Sequence, residues 1–160
     1  MSESAVLKKI AARLGDQIID ASSPLGQDTV VVAAGALTEL AAFVKGEPEL
    51  SFNVLIDITA VDYWKRRPRF EVVYHFLSLE HSQRLRVKAP VAGEPPEIGT
   101  LCGLWPAANW FEREVYDMFG IVFRDHPDLR RILMYDEFEG HPLRKDYPID
   151  RRQPLVGPQD

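Results

Sequence analysis

The run "SFNVLIDITAVDYWKRRPRFEVVYHFLSLEHSQRLRVKAPV", Ser51 to Val91, decides the fold. It holds three β-rich pieces. "SFNVLIDITAVDY" and "RFEVVYHFLSL" are joined by "WKRRPR", and the second leads through "EHSQ" into "RLRVKAPV". In the last piece Leu85, Val87 and Ala89 alternate with Arg84, Arg86 and Lys88, the period of a strand with one buried face. In the middle piece Phe70, Val72, Tyr74 and Phe76 share one face, and Val73, His75, Leu77 and Leu79 share the other. Both faces are apolar, which predicts an interior strand covered on each side. The connections are too short for crossovers, so the three strands pair antiparallel.

Upstream, "SAVLKKIAARLG" sets Val6, Leu7, Ile10, Ala11 and Leu14 on one helical face, with Ser4 as N-cap and Gly15 as the stop. "QIID" and "TVVVAA" are short β-branched runs separated by the turn material "SSPLGQD". "ALTELAAFVKG" is a second helix, with Leu37, Leu40, Ala41 and Val44 on one side. Downstream, "AGEPPEIG" breaks the strand pattern. A helical hairpin is expected from Thr100 onward, with Pro106 near the first turn of its second helix. In that helix Phe111, Val115, Met118 and Phe119 form the apolar stripe and Gly120 ends it. The order predicts an α+β domain over residues 1–134, its helices packed on a mainly antiparallel or mixed β-sheet.

Residues 135–160 have a different character. "YDEFEGHPLRKDYPIDRRQPLVGPQD" has four prolines and no period, yet carries Tyr135, Phe138, Leu143, Tyr147, Ile149 and Leu155. Prolines with spaced apolar groups predict an extended arm laid on a partner, with Leu143, Arg144, Tyr147 and Pro148 among its docking residues. A tail folded back on its own domain is the alternative.

With 160 residues, 46% apolar and 27% charged, the chain can bury a real core. Its net charge of −5 argues against a general nucleic-acid binder. No apolar run is long enough to span a bilayer, and the N-terminus reads as neither a secretory signal nor a transit segment. The lone Cys102 can form no internal disulfide and cannot hold an iron–sulfur cluster by itself, so a buried structural thiol is its expected role.

The charged residues concentrate in "NWFEREVYDMFGIVFRDHPDLRRILM", Asn109 to Met134. Asp117, His126, Asp128 and His141 could supply metal ligands, but no His-Glu-x-x-His and no Cys-x-x-Cys accompanies them. Acid–base catalysis needs carboxylates in contrasting environments; of the three on this helix, Glu112, Glu114 and Asp117, the last two have Arg113, Arg130 and Arg131 nearby, which would keep them ionised. Arg113 and Asp117, four apart, can pair along the helix. No phosphate-cradling loop or Gly-x-Ser-x-Gly elbow appears. "YWKRRPRF", Tyr63 to Phe70, interleaves basic and aromatic residues as an RNA-binding loop can, or as a solvated hairpin tip does. Arginine beside Trp, Phe and Tyr is also the composition of interface centres, and of internal ion networks.

The same stretch resembles the characteristic segment of the 30-kDa subunit, the C subunit, of NADH–quinone oxidoreductase, respiratory complex I. The matching residues are Glu112, Arg113, Glu114, Asp117, Met118, Phe119, His126, Arg130, Ile132 and Leu133. "EGHPLRKDYPI", "RRQP", "DITAVDY" and the two strands after it resemble further segments of that family. Asp125 departs from the Gly or Asn often found before the His-Pro, which bears on the turn there. The resemblance implies a chain without catalytic residues and without flavin, iron–sulfur cluster or quinone of its own. Those groups belong to the holoenzyme, which carries FMN, passes electrons from NADH to quinone and pumps protons. It implies a place in the hydrophilic arm on the D subunit, with the B and I subunits nearby, at the cytoplasmic side of a bacterial membrane. Glu112, Arg113, Glu114, Asp117, Phe119, His126, Arg130 and Arg131 would then be structural and docking residues. A related membrane-bound hydrogenase or other donor:quinone complex is one alternative, and a metal-dependent hydrolase built on His126 another.

Overall fold

The computed structural model describes residues 4–153 and 156. Helix α1 (Ala5–Leu14) starts where the Ser4 hydroxyl accepts the Val6 N–H and ends at Gly15, whose φ is 52°. Strands β1 (Ile18–Ser22) and β2 (Asp28–Val32) form an antiparallel hairpin, and α2 (Leu37–Gly46) comes next. The long strands β3 (Val54–Asp62), β4 (Phe70–Ser78) and β5 (Gln83–Val91) make the antiparallel meander that the alternation predicts. The five strands lie in the order β1-β2-β5-β4-β3, with β2 and β5 parallel, so the sheet is mixed.

The helices serve one sheet face. Leu7, Ile10, Leu37, Leu40 and Val44 join Val30, Val32, Leu55, Ile58, Val72, Tyr74, Phe76, Leu85 and Val87 in one buried cluster. A register shift between Leu55 and Asp57 turns Ile56 outward and brings Ile58 back to the core. The expectation that β4 is covered on both sides is corrected. Its second face has Val73 buried outside the core cluster, His75 and Leu77 half-buried, and Leu79 64% exposed. β4 is interior because β3 and β5 flank it.

The expected helical hairpin after Thr100 is also corrected. Turns occupy residues 102–104 and 106–107, and only α3 (Ala108–Phe119) is helical. The strands β6 (Glu97–Gly99) and β7 (Val122–Arg124) on either side of it pair in parallel, a two-stranded sheet with no counterpart in the sequence reading. Closing this small sheet fixes both ends of the segment that presents α3. Helix α3 packs along β3, with Ala108, Val115, Met118 and Phe119 in the core.

Candidate functional site

Three charged side chains of α3, Glu112, Arg113 and Asp117, are buried. Burying an ion is costly unless donors or acceptors replace its water. For each carboxylate the replacement is visible.

Asp117 is fully buried and holds the turn beyond β7. Its Oδ2 accepts the backbone N–H groups of Ile132 (3.1 Å), Leu133 (2.8 Å) and Met134 (2.9 Å). Its Oδ1 accepts Nη1 of Arg131 at 2.7 Å, and Nη2 of Arg131 donates to the Gly140 carbonyl at 2.9 Å. Burial alone would raise the pKa of Asp117, but these donors hold it below the ordinary aspartate value. The helical pairing of Arg113 with Asp117 therefore does not form. Arg131 and three amides have taken the carboxylate, and Arg113 instead donates to the carbonyls of Arg130 (3.2 Å) and Arg131 (3.3 Å).

Glu112 is a second hub. Its Oε1 accepts the Leu101 N–H at 2.7 Å, and its Oε2 accepts the Thr100 hydroxyl at 2.5 Å and the Cys102 thiol at 3.5 Å. Here burial prevails over the donors and raises the pKa. The buried Tyr74 hydroxyl has no partner among the described residues, and its ionisation is opposed by burial and then by Glu112. Cys102 is half-buried, and burial raises its thiol pKa.

The structure does not gather the metal donors that the sequence suggested. Asp117 is taken by Arg131, Asp128 pairs with Arg130 at the surface, and His141 caps a helix. Cys102, Glu112 and His126 do bring one donor atom each within 4.8 Å of one another. The His126 ring is already committed, however. The Asp128 N–H donates to Nδ1 at 3.0 Å, which places the ring proton on Nε2, toward the Asn109 carbonyl at 3.2 Å. A metal at Nε2 would have to displace that proton, so the trio fits a hydrogen-bond network better.

Residues 140–147 fold back on their own domain and close the C-terminal end of α3. A helix leaves its last carbonyls unsatisfied. Here His141 Nδ1–H donates to Asp117 O (2.9 Å), the Leu143 N–H to Met118 O (3.1 Å) and Arg144 Nε to Phe119 O (2.5 Å). Arg144 also places a cation at the negative end of the helix dipole. Gly120, at φ 71°, makes the approach possible, because a Cβ there would lie 2.5 Å from His141 Nε2. In this stretch backbone and side chains alike bond inward, as the alternative of a tail folded back on its own domain expects. Tyr147 stacks on Phe138, and Pro148 lies exposed at the next turn. Leu143 and Ile149 still turn apolar surface outward, and Pro154 and Leu155 lie outside the described residues.

A third hub, Asp62 at the end of β3, was not among the residues expected to matter. Its fully buried carboxylate accepts Nε (2.8 Å) and Nη2 (2.6 Å) of Arg69, and the N–H groups of Trp64 and Lys145, both at 2.8 Å. Arg69 also grips Asp146, at 3.0 and 2.8 Å. Hydrogen bonding to Arg69 is the main cause holding Asp62 far below the usual carboxylate range. The "YWKRRPRF" loop thus spends Arg69 on its own fold, while Arg66 stacks on Tyr63. A sequence signal existed, an acid and a base flanking a strand-to-strand turn, but that pattern also describes any solvated hairpin tip.

Of the remaining expected residues, Phe119 is buried core, Glu114 is exposed and bonds to nothing among the described residues, and Arg130 is exposed. Asp125 has a φ of 63°, so it adopts the left-handed conformation its position before His-Pro requires.

Comparison with known proteins matches residues 30–153 to the family described as respiratory-chain NADH dehydrogenase, 30 Kd subunit. The chain belongs to that family. This 30-kDa-family chain is 46% identical over 151 residues to the C subunit of NADH-quinone oxidoreductase from Geotalea uraniireducens, covering 93% of this chain and 91% of that one. It is 44% identical to the protein of the same name from Roseiflexus sp., covering 93% and 86%. Among solved structures, the trypsin-resistant fragment of Nqo5 superposes with a TM-score of 0.67 at 37% identity, over 78% of this chain and 96% of that one. A chain of an archaeal membrane-bound sulfane sulfur reductase shares the fold, with a TM-score of 0.75 at 24% identity over 90% and 84%.

Proposed function

We propose that this 30-kDa-family chain is a non-catalytic docking subunit of the hydrophilic arm of a proton-pumping NADH:quinone oxidoreductase. It carries no flavin, cluster or quinone of its own and seats against the quinone-reducing module, the D subunit foremost, with the B and I subunits adjacent. The complex would hold it at the cytoplasmic face of a bacterial membrane. No helix among the described residues is long and apolar enough to cross one. Relatives at 44–46% identity bear the name of the C subunit of NADH-quinone oxidoreductase, which favours this complex over a hydrogenase built on the same module.

One observation carries the reading. The buried carboxylates of the site, Asp62, Glu112 and Asp117, are occupied by donors of their own chain. A group so engaged fixes shape; it neither awaits substrate nor exchanges a proton with it. What these hubs fix is the segment from Leu129 to Tyr147, whose outer side carries Arg130, Leu133 and Leu143. A hydrolase centred on His126 finds no free ring nitrogen there.

The test is gentle purification of the tagged chain from native membranes, with Arg130→Glu and Arg131→Glu compared. A D-like subunit accompanies the parent chain. Arg130→Glu keeps the parent's urea midpoint, since exposed pairs contribute about 0–1 kcal/mol, yet loses the accompanying subunit. Arg131→Glu lowers stability by about 3–5 kcal/mol, because it strands the buried Asp117. Purification of the parent without any complex subunit, or undiminished recovery with Arg130→Glu, refutes this docking role.

A further inference from the structure

Among the described residues no carboxylate balances Arg113, the buried cation of α3. The residue is only 7% exposed, yet its guanidinium contacts two neutral carbonyls, those of Arg130 and Arg131, and pairs with no carboxylate among the described residues. The acids that could have paired with it are otherwise placed. Asp117, one turn on, belongs to Arg131 and three amides, Glu112 belongs to the Thr100–Cys102 turn, and Glu114 is exposed without a bond among the described residues. Nη1 is left without an acceptor among them. The outer edge of the guanidinium therefore still has donors to offer an incoming acceptor.

The surroundings are those of an interface centre. The guanidinium lies 4.9 Å from the centroid of the Trp110 ring, and Trp110 is 60% exposed, a large area for a tryptophan. Leu133, on the turn that Asp117 holds and next to the carbonyls that Arg113 grips, is 57% exposed. Tryptophan and arginine side by side, desolvated on one side and open on the other, are the commonest anchors of protein interfaces. The chain buries the stem and inner edge of a forked donor, leaves Nη1 at the open edge, and flanks it with the exposed Trp110 and Leu133.

The geometry points to the Trp110–Arg113–Leu133 strip as the receptor for a carboxylate side chain, Asp or Glu, presented in an apolar surround by a neighbouring subunit of the complex. The incoming oxygens take Nη1 and the outer edge of the guanidinium, while Trp110 and Leu133 exclude water around the pair and so strengthen it. This inference rests on the docking reading above and adds the contact through which docking is made.

The experiment uses the whole complex, purified with Trp110→p-benzoylphenylalanine in this chain and then irradiated. The expected adduct joins position 110 to another subunit, on a peptide whose Asp or Glu is the counter-charge. Arg113→Met then lowers recovery of that subunit at moderate salt about tenfold, and Arg113→Lys falls between, because an ammonium lacks the fork. Neutralising the identified carboxylate gives the same loss as Arg113→Met, and the two changes together lose no more than either alone. Should Arg113→Met fail to fold, Trp110→Ala and the partner's neutralised carboxylate decide in its place, since neither disturbs a hydrogen bond within this chain. An adduct to a second copy of this chain, an adducted peptide without an acid, or additive losses in the double variant overturn the assignment. So does normal recovery of every variant in a complex that still contains the chain, which would leave the broader docking reading standing. Absence of the chain from any complex would remove both.

Discussion

Asp62 shows how one side chain can set the pH range of a fold. Its pKa is depressed, so its contribution is whole above the unfolded carboxylate value of about 4 and is lost as pH falls through the lower folded value. Glu112 has the opposite sign. Its raised pKa means that its ionised form opposes folding at neutral pH, an opposition relieved as pH falls toward the unfolded value. Asp62→Asn should therefore lose about 1–3 kcal/mol at pH 7, and its deficit against the parent should shrink as pH drops below about 4. Urea titrations at several pH values measure this. A deficit that stays constant down to about pH 3 would mean that shape, not charge, holds the hairpin to Lys145 and Asp146.

At the scale of elements, α3 depends on a segment that comes after it in the chain. Its last three carbonyls are satisfied by His141, Leu143 and Arg144, an arrangement that only a residue without Cβ at position 120 allows. Gly120→Ala should cost about 1–3 kcal/mol and release residues 141–145 from the helix end, read as faster amide hydrogen exchange there. Unchanged exchange would mean that residues 141–145 are held through the bond from the Lys145 N–H to Asp62. The long strands were legible in the sequence, because nine residues of alternation, as in Gln83–Val91, leave little choice of face. The three-residue strands β6 and β7 were not, because so short a run has no measurable period. Burial of Glu112, Arg113 and Asp117 was visible only as unusual charge density. Their partners were not visible, because helical spacing offers Arg113 to Asp117 while the folded chain supplies Arg131 and three amides at closer range.

Over the whole molecule, the apolar core and the residues that brace its outer face occupy different stretches of the chain. The buried hydrophobic cluster and the apolar side chains packed on it run from Val6 to Met134, while residues 139 onward add bonds that brace the outer face from behind. A chain ending at Met134 should keep its far-ultraviolet circular dichroism, melt about 5–10 °C lower, and bring down less of its neighbouring subunit, because the turn carrying Leu133 loses the Gly140 carbonyl that braces Arg131. Retained co-purification of that shortened chain would put the docking contacts entirely on α3 and the turn after it.

The parallel pairing of β2 with β5 has a consequence for how the chain is made. Synthesis runs from the N-terminus at about 5–20 residues per second, so β2 emerges several seconds before β5, the strand that must lie beside it. Until then the first hairpin has an open edge, a row of unpaired backbone groups that another chain could join. The Lys145 amide then reaches back 83 residues to Asp62 as one of the last contacts to close. A truncated translation product can therefore own a complete core and still lack a complete outer face. Recruitment that reads this face would pass over unfinished copies without any separate inspection.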